Sequence, residues 1–98
     1  MMDRMHVLVE FTGISRMLTG ETEIAIPLQA GAQLVDVVQY ISRKFPALIG
    51  EIIESDGRSM IPTNLFSLNG EQILHENQLH YRPQNGDRLI LLSLLAGG

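Results

Sequence analysis

Leu89-Ile90-Leu91-Leu92-Ser93-Leu94-Leu95-Ala96-Gly97-Gly98 closes the sequence and decides how the rest of it is read. The run from 89 to 95 has the length and composition of a strand, and it is apolar on both faces, the pattern of a central strand covered on at least one side. A central strand needs neighbours, so the residues ahead of it must supply a sheet. The run then passes without a polar spacer into Ala-Gly-Gly, whereas a folded domain usually ends in a polar, dispensable tail. Glycine has no side chain beyond hydrogen and lets other groups approach its backbone closely. Gly97 and Gly98 are therefore expected to form a thin, flexible thread tipped by a carboxylate, able to enter a narrow active site. On this reading Gly98 carries the chemistry as an activated carboxyl group, and Leu94, Leu95, Ala96 and Gly97 are the tail that a partner grips. Two terminal glycines arise by chance in roughly one chain in two hundred, so the reading depends on whether the preceding residues build a compact body.

The size suits one. Ninety-eight residues are expected to form a single domain, 1–98, with one hydrophobic core. The sequence is 45% hydrophobic and 18% charged, with a formal net charge of -4, an ordinary globular composition with a mildly acidic surface. Seven Lys and Arg without a basic cluster argue against nucleic acid as a partner. No apolar run is long enough to cross a membrane, and Met1-Met2-Asp3-Arg4-Met5-His6 does not resemble a signal peptide, so a cytoplasmic protein is expected. The absence of cysteine excludes disulfides, thiolate metal sites and a cysteine nucleophile.

From the beginning, His6 to Thr12 is dense in β-branched and aromatic residues and closed by Gly13, which predicts a strand with Met5, Val7, Val9 and Phe11 on one face and His6, Leu8 and Glu10 on the other. Residues 14–21 read as a connecting loop. Glu23 to Leu28 alternates, with Ile24, Ile26 and Leu28 on one side, and Pro27, which cannot donate to a ladder, places it at a sheet edge. Leu34, Val38, Ile41 and Phe45, with Val37 beside them, recur at helical spacing and predict a helix that Pro46 ends. A short second helical turn is expected over 47–53. Ser55-Asp56-Gly57-Arg58 is a turn, and the stretch through Asn64 a surface loop. Leu65-Phe66-Ser67-Leu68 and Glu71-Gln72-Ile73-Leu74 flank Asn69-Gly70, the strongest short hairpin signal. Gln84 to Asp87 is a last turn that launches the final strand. The three histidines, His6, His75 and His80, lack metal-ligand spacing, so no metal site is expected. One sheet wrapped around one helix is the expected architecture.

That order of elements resembles the β-grasp fold of ubiquitin-like proteins, and more narrowly the small sulfur carriers, closest to the small subunit of molybdopterin synthase (the MoaD family) and next to the thiamin sulfur carrier ThiS. Four stretches carry the resemblance, which spans residues 5 to 98. Arg16-Met17-Leu18-Thr19-Gly20 is similar to the family's Arg-x-Leu-x-Gly segment, and Leu34 to Phe45 with Pro46 to its helix and Phe/Tyr-Pro stop. Leu68-Asn69-Gly70 resembles the Val-Asn-Gly hairpin, and Asn85 through Gly98 the Asp-Gly-Asp-Glu-Val strand with its Ala-Gly-Gly end. One departure is Leu92-Ser93-Leu94-Leu95, where relatives of molybdopterin synthase often have Phe-Pro-Pro-Val.

The resemblance implies an α+β fold, a mixed four- to five-stranded sheet packed on one main helix. It also implies a chemistry in which the chain is a cosubstrate. An adenylating enzyme of the MoeB/ThiF type would use ATP and magnesium to convert Gly98 to an acyl-adenylate, and a sulfur donor would displace AMP to leave a thiocarboxylate. The thiocarboxylate would then deliver sulfur to the large subunit of molybdopterin synthase or another acceptor enzyme. No cofactor would be bound permanently. Carriers of this kind present an apolar patch on the sheet face away from the helix. Leu8, Leu92 and Leu94 are the candidates for that patch, with Arg16 as a possible partner for an acidic surface. Conjugation of Gly98 to a lysine of another protein is the alternative use of the same adenylate.

Overall fold

The computed structural model describes residues 4–94. Strand β1, Arg4–Phe11, buries Met5, Val7, Val9 and Phe11 and turns the residues between them outward, as period-two alternation requires. It pairs antiparallel with β2, Glu23–Gln29, through a register that sets Val7 opposite Ile26 and His6 opposite Pro27. Helix α2, Leu34–Lys44, lays Leu34, Val37, Val38 and Ile41 on the sheet. Its free N–H groups are taken up on all sides. Asp36 Oδ2 accepts from the Gln33 N–H at 2.7 Å. Leu34 and Val35 donate to the carbonyls of Tyr81 and Leu79. The hairpin of β3, Asn64–Leu68, and β4, Gln72–Leu74, turns at Asn69 and Gly70, both at positive φ (56° and 73°). The Asn69 carboxamide then fastens the turn to the next strand, accepting from the Arg88 N–H at 2.8 Å.

Strand β5, Arg88–Ser93, is the centre of the sheet. The strand order is β2-β1-β5-β3-β4, with β5 parallel to β1 and antiparallel to β3. The expected central strand, edge strand and mixed five-stranded sheet are all present. The core lies between this sheet and α2 and is sealed by Phe66, Leu74, Leu89, Leu91, Leu48 and Ile53. Phe11 and Phe45 meet edge to face there, with centroids 5.5 Å apart.

Three stretches differ from the sequence reading: the expected surface loop through Asn64 buries Met60 and Asn64 and gives Asn64 to β3, and the other two concern helices. The expected loop over 14–21 contains a helix, α1, Gly13–Thr19, capped by Thr12 and ended by Gly20 at φ 72°. The expected second helical turn over 47–53 is only a 3-10 turn, Pro46–Leu48. Gly50, at φ 91°, turns the backbone away, and Ile53 instead bridges to Ile49 and Met60.

The turn at 55–58 supplies a pH-dependent element. Asp56 accepts from the N–H of Arg58 and from the N–H and hydroxyl of Ser59, at 2.8–2.9 Å. These bonds, the Arg58 N–H first, hold its carboxyl below the ordinary value. A carboxyl whose folded pKa is depressed adds stability above its unfolded pKa of about 3.9 and loses it as pH falls through the folded pKa. Asp56→Ala is therefore expected to lower the melting temperature at pH 7, and the gap from wild type to close in acid. A gap that is independent of pH would assign the loss to something other than the carboxylate.

Candidate functional site: the open sheet face and the root of the tail

The register of the sheet decides which side chains share its open face. Leu8 is opposite Arg88, Glu10 opposite Ile90 and Glu23, Leu65 opposite Leu92, and Ser67 opposite both Ile90 and Ile73. Residues opposite one another point the same way, so Leu8, Ile90, Leu92, Leu65 and Ile73 share the face away from α2 across four strands, with Ser67 between Ile90 and Ile73. Leu65 is 5% exposed yet stands outside the main core cluster, Ile73 is 42% exposed, and Leu94, just past the strand, is 64% exposed.

Charges close the β2 side of this face. Glu10 and Glu23 are directly opposite one another, an arrangement that repels, and Arg88 resolves it. Its Nη1 donates to Glu23 Oε1 at 2.8 Å and to Glu10 Oε1 at 3.2 Å. The Glu23 bond, with Glu10 behind it, holds the guanidinium more firmly protonated than a free arginine. Exposed ion pairs add little stability. What this one fixes is position, laying the Arg88 side chain across the sheet toward β2.

The root of the tail is held at the far end of β5. The Thr12 hydroxyl donates to the Leu91 carbonyl at 2.6 Å, and the Leu94 N–H donates to the Thr63 carbonyl at 2.7 Å. Helix α1 packs against β5 at that end and exposes Ile14 (41%) and Met17 (82%). The chain is thus anchored through Leu94, beside exposed apolar surface.

Of the residues singled out from the sequence, Leu8 and Leu92 are half-buried on the open face. They are not neighbours. Four residues of strand, about 13 Å, separate Leu92 from Arg88, and Ile90 fills the interval. Arg16 stands off the sheet, exposed on α1, and forms no ion pair with another described residue. Leu95, Ala96, Gly97 and Gly98 lie outside the described residues. Ile90, Leu65 and Ile73 were not singled out beforehand, because their membership depends on pairings between distant strands. Ile14 and Met17 could have been found from their i, i+3 spacing had the helix been recognised. Among the described residues no group of three His, Cys, Asp or Glu side chains could hold a metal ion, and no helix is long and apolar enough to cross a membrane.

A five-stranded mixed sheet with the first and last strands parallel at its centre, clasping one main helix, is a known arrangement. The chain has the ubiquitin-like β-grasp fold. The β-grasp of small archaeal modifier protein 1 from Haloferax volcanii superposes with a TM-score of 0.80 at 18% identity, over 95% of this chain and 99% of that one. The protein of the same name from Methanosarcina acetivorans is 25% identical, with a TM-score of 0.74, over 98% and 99% of the two chains. A molybdopterin converting factor subunit 1 from Pyrococcus furiosus is 19% identical, with a TM-score of 0.72, over 91% and 97%. No protein-family model matches the sequence, and no curated protein matches it. The β-grasp resemblance drawn from the residue pattern therefore holds at the level of fold along nearly the whole chain.

Proposed function

We propose that this β-grasp protein is a sulfur carrier. Its Gly98 carboxyl is adenylated by a partner enzyme with ATP and magnesium, is converted to a thiocarboxylate, and donates sulfur in the assembly of molybdopterin. The observation that carries the reading is the apolar strip of Leu8, Ile90, Leu92 and Ile73, partly exposed on the open face with Leu65 buried among them, beside the strand that leads to the Gly-Gly end. An apolar strip rimmed by charges suits a protein partner, and its place beside β5 lets a partner hold the body while it takes in the tail. The catalytic groups belong to the partners: an adenylating enzyme, a sulfur donor, and an acceptor such as the large subunit of molybdopterin synthase. The carrier supplies the carboxyl and the surface by which it is recognised.

Intact mass tests the reading. Incubation with ATP, magnesium, an adenylating enzyme and a sulfur donor should replace one carboxyl oxygen by sulfur, and an unchanged mass counts against a carrier. A second reading, a modifier joined through Gly98 to lysines of other proteins, is favoured by the two modifiers among the structural neighbours. Covalent adducts on cellular proteins would distinguish it. For docking, Leu8→Ser combined with Leu92→Ser should weaken binding to the adenylating enzyme at least about tenfold, since central apolar contacts dominate such interfaces. Cooperative unfolding should persist in this variant. Unchanged affinity would place docking on another surface.

A further inference from the structure

The sequence contains six arginines but a single lysine, Lys44. A chain whose terminus becomes an acyl-adenylate is an acylating agent among its own copies, and among side chains the amine is the group that forms a stable amide with it. Arginine, whose guanidinium remains protonated, does not compete. Lys44 is therefore the one side chain of this protein able to capture the activated terminus as a stable amide.

Its place suits capture. Lys44 is the last residue of α2, exposed, with its Nζ 5.8 Å from the centroid of the Phe45 ring. That contact keeps the nitrogen near the apolar face of the ring. Asp36, Gln39, Tyr40 and Arg43 line an open groove of about 490 Å³ leading along the helix to Lys44, so an incoming chain end has room. The lysine is on the α2 side of the sheet, opposite the strip assigned above to the activating partner. A docked copy thus turns its own Lys44 away from the partner, and a second copy is free to present its lysine.

We propose that Lys44 is the acceptor for self-conjugation, joined through Nζ to Gly98 of a second copy. The inference rests on adenylation of Gly98 as proposed above. The neutral amine of Lys44 attacks the Gly98 carbonyl carbon. The C–N bond forms, the C–O bond to the phosphate breaks, AMP leaves with the electron pair, and solvent takes the proton from nitrogen. Sulfur transfer competes for the same adenylate, so the dimer accumulates when the sulfur donor is withheld.

The test incubates the full chain with ATP, magnesium and the adenylating enzyme from the same cells, with and without the sulfur donor. ATP–pyrophosphate exchange is followed beside intact mass and tryptic mapping. The expected product is a dimer in which the peptide Leu89–Gly98 is linked to Lys44. Lys44→Arg, which keeps the charge, should reduce the dimer at least tenfold while exchange is unchanged, and the sulfur donor should suppress it. Normal exchange with no dimer, a cyclised monomer, linkage to the N-terminal amine, or a dimer that persists in Lys44→Arg would each overturn the assignment and leave adenylation standing. Absence of exchange with the wild-type chain would overturn both.

Discussion

Gly98→Val should abolish adenylation, lowering ATP–pyrophosphate exchange by about a hundredfold or more while the protein folds normally. The carboxylate must approach the α-phosphate of ATP in line with the departing pyrophosphate, and a misplacement of about 1 Å costs on the order of a hundredfold in such geometry. On the proposed adenylation, a branched side chain on the reacting residue adds bulk beside the carboxyl and narrows the backbone conformations that it can sample. Folding should be untouched, because among the described residues the core cluster runs from Met5 to Leu91. Melting temperature and exchange rate therefore separate the body from the tail. Exchange at the wild-type rate would show that Gly98 is not the reacting residue, and the carrier and modifier readings would fall together.

Phe11→Ala should be the most destabilising single change, costing about 3–5 kcal/mol for truncation of a buried aromatic. Phe11 is fully buried, and three parts of the fold meet on it. It ends β1, pairs with Leu91 of β5, and meets Phe45 edge to face at the close of α2. The edge-to-face contact adds about 0.5–1.5 kcal/mol beyond area burial. A domain of this size holds only about 5–15 kcal/mol in all, so the variant should be largely unfolded at modest urea concentrations. Phe11→Leu, which retains most of the volume, should lose much less. A loss below about 1 kcal/mol for the alanine variant would mean that the core closes over the gap.

Most of the fold was legible because its signals are local. Alternation marked β1, Pro27 marked the edge, the stripe Leu34-Val38-Ile41-Phe45 marked α2, and Asn69-Gly70 fixed the hairpin. Helix α1 was missed because seven residues carry too short a stripe to stand out, and because its support is tertiary: Leu18 packs against the core and the helix rests on the 3-10 turn. Thr12 ahead of it and Gly20 behind were visible as caps, but the Ser15 that completes the capping box is not the usual Glu or Gln. The open face was half legible. Alternation places Leu8 and Leu92 outside the core, but only the pairings of β5 with β1 and β3, and of β3 with β4, set Ile90, Leu65 and Ile73 on the same face as them. No local pattern announces a pairing between segments as distant as Thr12 and Leu91, 79 residues apart.

The central place of β5 has a consequence for turnover. Without it the sheet falls into two two-stranded pieces, β2–β1 and β3–β4, and such pairs are marginal by themselves in water. A protease that trims past the terminal residues into β5 therefore destroys the body along with the tail. Trimming confined to residues beyond β5 leaves Arg88–Ser93 in the sheet and the described core intact. On the proposed carrier reading, a cut within β5 therefore removes a copy altogether, whereas a cut beyond Ser93 leaves a folded body that can still occupy a partner through the strip.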